Sequence, residues 1–418
     1  MIRLTNIGLS FGAQLIFKNM SWHLCPEERV GLIGPNGAGK TTLLQILLER
    51  QLIDAGTIRR TKNMAAGYLP QDRINLTGKP LLEETLTAFD SVLKLEREIH
   101  SLQNEIDAAA KSGKNTAALL DRLGKIQQLF EHADGYRLES EAKKILKGLG
   151  FTEDDWQRET STFSGGWQMR IALAKLLLQR PNLLMLDEPT NHLDVQTTEW
   201  LENYLQNYDG AFILVSHDRY FLDRTVKKIV SLERGGLQIY HGNYTRFEQE
   251  RKKRIEIQWG EYYRQKEEIE RIQKFIDRFR YKATKAAQVQ SRIKMLEKMP
   301  LLESPEAESH VFFHFPPAPA SGKLLIATEN AEKYFAEKQV FANVSFRCDR
   351  CERIAIVGVN GAGKSTLCRI LAGIDTEHKG EIFKDNRLKI GYYSQDIADR
   401  FSGDTTVLTE AQSHAETI

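Results

Sequence analysis

The chain has 418 residues, 41% hydrophobic and 27% charged, and four cysteines. This is room for two or three domains with a sizeable core, and a composition that excludes wholesale disorder, a fibre or a membrane bundle. Its net charge of +2, from 58 basic and 56 acidic residues, predicts no nucleic-acid partner on its own. No apolar run approaches the ~20 residues of a membrane-spanning helix. The N-terminus lacks a signal peptide's apolar stretch, and with few cysteines this leads to the expectation of a cytoplasmic protein without membrane insertion.

In chain order, the first chemical element is Gly34-Pro-Asn36-Gly37-Ala-Gly39-Lys40-Thr41-Thr42. The pattern GxxxxGK[ST] places backbone N–H groups around phosphate oxygens, a lysine on the β and γ phosphates and a hydroxyl on Mg²⁺. Arg29 to Ile33 predicts a strand before it, and Thr42 to Leu48 a helix whose N-terminus faces the anion. Further on, Leu95, Ile99, Leu102, Ile106 and then Leu119, Leu123, Ile126, Phe130 follow a 4, 3, 4 spacing. That is the seam of a helical hairpin, with its turn at residues 111–115.

Ser164-Gly165-Gly166 opens a predicted helix from Met169 to Gln179. The serine would cap it and the glycines admit phosphate, although a plain capped helix after a glycine turn looks the same. Leu183 to Leu186 reads as a strand buried on both faces and ends in Asp187-Glu188. Asp187 is placed to hold Mg²⁺ and Glu188 to orient and deprotonate an attacking water; standing alone, the pair would equally be an acidic turn. Phe212 to Ser216 is a second such strand, tipped by His217, suited to sense a γ-phosphate or simply structural.

From Arg246 to Met299 the character changes. Glycine and proline almost vanish, and apolar residues recur at intervals of three and four (Phe247, Trp259, Tyr263, Ile269, Ile272, Phe275, Ile276, Phe279), predicting two long helices. Between Gln273 and Lys298 there are 8 basic residues against 2 acidic, among them Arg278, Arg280, Lys282, Lys285, Arg292, Lys294 and Lys298. Such an excess suits phosphate-backbone contacts. Pro300 and the proline-rich stretch 315–322 close the segment as an extended connector.

A repeat follows. Gly358-Val-Asn360-Gly361-Ala-Gly363-Lys364-Ser365-Thr366 restates the first phosphate loop 324 positions on, and the same offset carries Phe17, Asn19, Gly56 and Gln71 onto Phe341, Asn343, Gly380 and Gln395. Arg353 to Val357 predicts a strand before the second loop. Cys348 and Cys351 have CxxC spacing, but no second pair completes a zinc site, and the positions match the turn before the first loop's strand. The chain thus carries two copies of one domain, and the second is incomplete: counterparts of Ser164, Asp187, Glu188 and His217 would lie beyond Ile418.

Taken together, these pieces resemble the nucleotide-binding domain of ATP-binding-cassette (ABC) proteins. In family order they are the phosphate loop, Gln71, the signature Ser164-Gly165-Gly166, Asp187 with Glu188, Asn191 to Asp194, and His217. The resemblance implies an α/β fold of the P-loop NTPase type with a helical subdomain, with ATP and Mg²⁺ as cofactors. It also implies that Gln71 and Gln395 join Thr41, Ser365 and Asp187 at the metal, that Gln71 shares the catalytic centre with Glu188 and His217, and that Phe11 and Phe335 stack on adenine. Phe11 could equally be a core aromatic of the first strand. Expected boundaries are 1–244 for the first cassette, with an arm or enlarged helical subdomain at about 78–150, then 245–322 for the basic linker and 323–418 for the second cassette.

Tandem cassettes on a basic helical linker, with Trp167-Gln168 in the signature, are similar to the ABC-F subfamily. That resemblance implies an ATPase that binds the ribosome, rRNA and tRNA included, near the tRNA exit site and regulates or rescues translation. Alternatives are the ATPase subunit of a transporter and a non-hydrolysing, ATP-gated nucleic-acid clamp. In this family two cassettes close head to tail, so neither composite site is complete in one chain. The sequence is then expected to be a fragment or a natural short form with impaired turnover, or to self-associate with ATP through its first cassette.

Overall fold

The computed structural model describes residues 1–414 apart from 63, 72–75, 77, 112–114, 133–134, 234, 281–284, 301, 303–320, 336–337 and 395–405. Of the residues singled out above, Lys282 and Gln395 lie outside the described set, as do the turn at 112–114 and most of the proline-rich connector. The chain divides into two compact units, Met1–His310 and Val311–Ile418.

The first unit opens with strands β1 (Ile2–Phe11) and β2 (Gln14–Leu24), then β3 (Arg29–Ile33), helix α1 (Lys40–Leu47), β4 (Ala55–Arg60) and β5 (Ala66–Leu69). A helical stretch follows: α2 (Leu81–Leu86), α3 (Asp90–Lys111), α4 (Ala117–His132), α5 (Leu138–Gly148) and α6 (Gly165–Leu178). Then come β6 (Leu183–Asp187), α7 (Val195–Gln206), β7 (Ala211–Val215), α8 (Arg219–Thr225), β8 (Lys228–Glu233) and β9 (Gly236–His241), and last the helices α9 (Tyr244–Phe279) and α10 (Ala286–Lys298).

The central sheet has the order β5-β6-β7-β3-β8-β9, parallel except for β9. A smaller antiparallel sheet, β2-β1-β4, covers one of its faces. Alternation within β6 shows why an uninterrupted apolar run was needed. Leu183 and Met185 pack with α1 and the small sheet, while Leu184 and Leu186 pack with α5 to α8. Loops leaving the carboxyl ends of such parallel strands are where ligands gather, and they carry the site.

The heptad seam closes as expected: Ile99 and Leu102 of α3 meet Ile126 and Phe130 of α4, with Leu95, Leu119 and Leu123 at the rim. The basic segment folds as α9, 36 residues long, with α10 returning along it through Ile272, Ile276 and Val289. Gln265 fixes the return by donating to the Pro300 carbonyl and accepting from the Leu302 N–H, both at 2.8 Å.

The second unit consists of β10 (Leu324–Phe335), β11 (Lys338–Asp349), α11 (Lys364–Ala372), β12 (Lys379–Lys384) and α12 (Val407–His414). Its sheet, β11-β10-β12, repeats the order of β2-β1-β4. Backbone irregularities recur at the same offset: Asn6 and Asn330 have φ of 51° and 48°, and Asn19 and Asn343 have 50° and 53°. Asparagine tolerates this left-handed conformation better than most residues, and the Ser21 and Ser345 hydroxyls accept from the Asn6 and Asn330 N–H groups in turn.

One expectation fails here. Residues 353–357 form no strand and lie exposed. Their first-unit counterpart β3 is held between β7 and β8, and 353–357 pair with no strand among the described residues. An apolar run with no ladder partner has nothing to make it a strand.

Candidate functional site

Loop 34–39 turns between β3 and α1 with positive φ at Gly34, Gly37 and Gly39. At Gly39, φ is 92° and a Cβ would stand 2.7 Å from Ile16 and 2.9 Å from Phe17, so only glycine fits. At Gly37 nothing lies within 4 Å of that position, which leaves room for a ligand to approach the backbone. Lys40 Nζ donates to the carbonyls of Gly34 (2.9 Å) and Pro35 (3.2 Å), lying across the loop that its ammonium would share with a phosphate. Asn36, Thr41 and Thr42 continue the loop into α1.

The two phosphate-chemistry motifs meet directly. Thr41 Oγ1 donates to Asp187 Oδ2 at 2.9 Å, and the Tyr68 hydroxyl donates to the same oxygen at 3.5 Å. A hydroxyl and a carboxylate converging at the phosphate loop are the hard oxygen donors that suit Mg²⁺, so the residues present fit that ion. No group of three or more His, Cys, Asp or Glu is placed to hold a metal among the described residues. All four cysteines are free thiols.

Glu188 follows at φ 51°, ψ 51°. A non-glycine residue seldom takes this left-handed conformation, and the bond from the Glu188 N–H to Val215 O (2.9 Å) helps to hold it there. Its carboxylate is buried beside His217. The His217 N–H donates to Oε2 at 3.3 Å, and His217 Nε2 stands 3.6 Å from Oε1. Oε1 has no hydrogen-bond partner. Burial pushes the Glu188 carboxyl above the ordinary glutamate range; the His217 N–H and imidazole, and more weakly Lys40, pull against that, while Asp187 adds to it. Gln71 is exposed and lines a small pocket with Asp187, Glu188 and His192.

Lys40, Thr41, Gln71, Asp187, Glu188 and His217 are thus gathered at the carboxyl edge of the central sheet. Ser164, Gly165 and Gly166 are not among them. They begin α6, where a Cβ on Gly166 would stand 3.7 Å from the His192 ring, and they do not line the cleft around Lys40. Ser164 occupies the N-cap position in extended conformation, but its side chain makes no capping bond, a departure from the expected cap. Phe11, at the tip of the β1–β2 hairpin, is half exposed and outside the main cores, so it is no core aromatic; Phe335 is exposed likewise.

In the second unit the loop is a close copy. Gly361 and Gly363 have φ of 86° and 87°, and Lys364 Nζ donates to the carbonyls of Gly358 and Val359, both at 2.8 Å. Asn360 belongs to this loop, and Ser365 and Thr366 begin α11. Among the described residues no carboxylate receives the Ser365 hydroxyl as Asp187 receives that of Thr41.

Sequence reasoning missed Arg170. Although on α6, it is 1% exposed and pairs with Asp194 at 3.2 Å. It also donates to the carbonyls of His192 and Leu149, both at 3.0 Å, and lies 4.5 Å from the Trp167 ring. This one side chain ties the signature helix to the loop that follows Glu188. Its signal was legible as a lone arginine on an otherwise apolar helix face. Gln168 pins the same region, donating to Thr160 O and Phe163 O and accepting from the Leu76 N–H.

Of the basic residues, Arg278, Arg280, Arg292, Lys294 and Lys298 are exposed on α9 and α10 or their ends, and Lys285 is half-buried just before α10. The Arg292 guanidinium lies over the Phe275 ring at 5.6 Å. No helix among the described residues is long and apolar enough to cross a membrane.

Two family models described as "ABC transporter" match the chain, one over residues 17–191 and 341–417, the other over 230–315. The chain is 34% identical to ABC transporter F family member 2 of Arabidopsis thaliana over 97% of its length, 36% to the putative ATP-binding protein YdiF of Bacillus subtilis over 95%, and 39% to ATP-binding cassette sub-family F member 3 of Mus musculus over 94%. It spans 61%, 62% and 54% of those relatives in turn. The family match over residues 17–191 and 341–417 falls on the two phosphate loops and on Asp187 and Glu188, and with it the chain belongs to the ABC transporter family, with F members among the relatives it resembles.

Proposed function

We propose that the first cassette binds ATP with Mg²⁺ and hydrolyses it, and that the chain uses this cycle on the ribosome near the tRNA exit site to regulate or rescue translation in the cytoplasm. The observation that carries the catalytic part is the meeting of Thr41 with Asp187 next to a Glu188 oxygen left without a hydrogen-bond partner. Thr41, Asp187 and Gln71 would hold the metal, which neutralises charge on the β and γ phosphates when bound. The loop N–H groups and Lys40 bind the phosphate chain, and Phe11 offers its face to adenine. Glu188 takes a proton from the attacking water, and its raised pKa favours that transfer. His217, exposed at its ring, orients beside the terminal phosphate.

Support for the ribosomal part comes from the F-type relatives and from the exposed arginines and lysines of α9 and α10, whose excess suits a polyanionic surface. Phosphate release by the parent and Glu188→Gln chains tests hydrolysis; equal rates would refute the assignment of Glu188. Ribosome co-sedimentation across a salt series tests the partner. Glutamate at 278, 280, 292, 294 and 298 should abolish pelleting or flatten its salt dependence, and unchanged pelleting would refute the interface.

A further inference from the structure

Helix α9 begins on the nucleotide cleft. Asn243 caps it, its side chain accepting from the Arg246 N–H at 3.2 Å. Phe247 is buried in the main core against Tyr240, ring centroids 4.9 Å apart. The first two turns are therefore part of the cassette's packing. Residues 251, 254, 255 and 258 recur at helical spacing on one face, and all four line a cleft of about 860 Å³ together with the phosphate loop 34–38, Lys40, Ser216 and His217. That volume lies within the roughly 300–1,000 Å³ typical of small-molecule clefts.

Charge along this wall is one-sided. Lys40, Arg219, Arg251 and Arg254 line the cleft against a single carboxylate, Glu233. Glu233 faces Arg251 at 3.6 Å, and Arg219 is occupied by Glu248 at 3.4 Å. Arg254 is exposed and has neither an ion pair nor a hydrogen bond among the described residues. A guanidinium fork lining the same cleft as an anion-binding loop, with no protein carboxylate to meet, is suited to phosphate.

We propose that Arg254, supported by Arg251, contacts the terminal phosphate of the nucleoside triphosphate bound on loop 34–42, so that the interdomain helix itself reads whether the triphosphate is present. This rests on the reading that the first cassette binds ATP. Lys40, His217 and Arg254 line one cleft, and a triphosphate extends further from the loop than a diphosphate does. A diphosphate, ending in the loop, would miss the arginine.

Calorimetric titration of the full 418-residue chain with a non-hydrolysable ATP analogue and with ADP tests it, using the parent, Arg254→Ala, Arg254→Lys, Arg251→Ala/Arg254→Ala and Lys40→Ala. Expected is an affinity for the analogue lowered about tenfold by Arg254→Ala, equivalent to about 1.4 kcal/mol, with ADP changed less than about twofold and Arg254→Lys intermediate. Analogue affinity unchanged in Arg254→Ala and the double variant while Lys40→Ala abolishes binding, or equal losses for analogue and ADP, would overturn the arginine's role and leave the ATP site standing. No binding by the parent would overturn both. Arg254 is exposed, so melting curves matching the parent's are expected for its variants, and Arg254→Lys keeps the test open if the alanine form folds poorly.

Discussion

Glu188 and His217 meet at two points, one through a hydrogen bond from backbone to carboxylate and one through an imidazole 3.6 Å from the other carboxylate oxygen. That second oxygen is buried without a hydrogen-bond partner, and burial raises the carboxyl's pKa. An acid whose folded pKa lies above its unfolded one destabilises the fold as pH climbs through the interval between them. Glu188→Gln is therefore expected to be more stable than the parent by roughly 1 kcal/mol near neutrality, with the gap shrinking toward pH 4. Urea denaturation at pH 4, 5.5 and 7 checks the sign; a less stable glutamine form at pH 7 contradicts it. The acid limb of phosphate release should likewise fall above the ordinary glutamate range.

Arg170 and Asp194 form an ion pair between α6 and the loop entering α7, where Asp194 also accepts from the Thr197 N–H at 2.9 Å. Removing one partner of a buried pair leaves the other charge stranded, at a cost of about 3–5 kcal/mol. Arg170→Ala should lose that much stability in denaturant titration. The double change with Asp194→Asn should cost clearly less than the sum, and simple additivity would show that the pair is not coupled.

Glycines 37 and 39 separate backbone strain from collision. Both have positive φ, but only Gly39 has neighbours in the way. Gly37→Ala should cost about 1–2 kcal/mol, the left-handed penalty alone. Gly39→Ala adds the clash with Ile16 and Phe17 and should cost distinctly more, seen as a lower melting temperature. Equal losses at both sites would mean that the surroundings yield.

In the second unit Lys333 occupies the place of Leu9. It is 2% exposed and its ammonium donates to Asp375 Oδ1 at 2.9 Å. That bond holds the Asp375 carboxyl below its usual range, so the pair contributes fully above the ordinary aspartate range and fades only as pH falls through the lowered value. Asp375→Ala should destabilise this unit by stranding the buried Lys333 ammonium, whereas the double change Lys333→Leu/Asp375→Gln, restoring both residues of the first copy, should be neutral or stabilising. Hydrogen exchange of amides 326–335 in the full chain reads both.

The second unit has little apolar burial. Ala331 and Ile370 are its only fully buried apolar residues among those described, while Ile354, Ile356 and Val357 are exposed. Amides of β10 to β12 should exchange faster than those of β6 and β7, whose residues are buried throughout. Comparable protection in both sheets would refute this.

Much of the site could be read in advance because phosphate chemistry constrains residue types locally. Gly39, Lys40 and Thr41 are forced by one loop, and the run from Leu183 to Asp187 by burial on both faces. What escaped depends on contacts far apart in the chain. Arg170 gains its meaning from Asp194 and from the Leu149 carbonyl, which only the fold brings near. Residues 353–357 have the composition of a strand, but a strand is a property of pairs. The position of α9 against the phosphate loop was equally hidden, since its charges read alone describe a surface helix and say nothing of the wall it forms.

That wall gives α9 a mechanical meaning. At 36 residues it is roughly 54 Å long, clamped at its root by Phe247 and free of the cassette's core beyond its first few turns. A stiff rod anchored beside the phosphates magnifies small angles: a tilt of about 5° at the root, spread over the ~54 Å length, carries the far end about 5 Å. Events the size of one bond at the cleft would arrive at the hairpin's tip as displacements the size of a side chain.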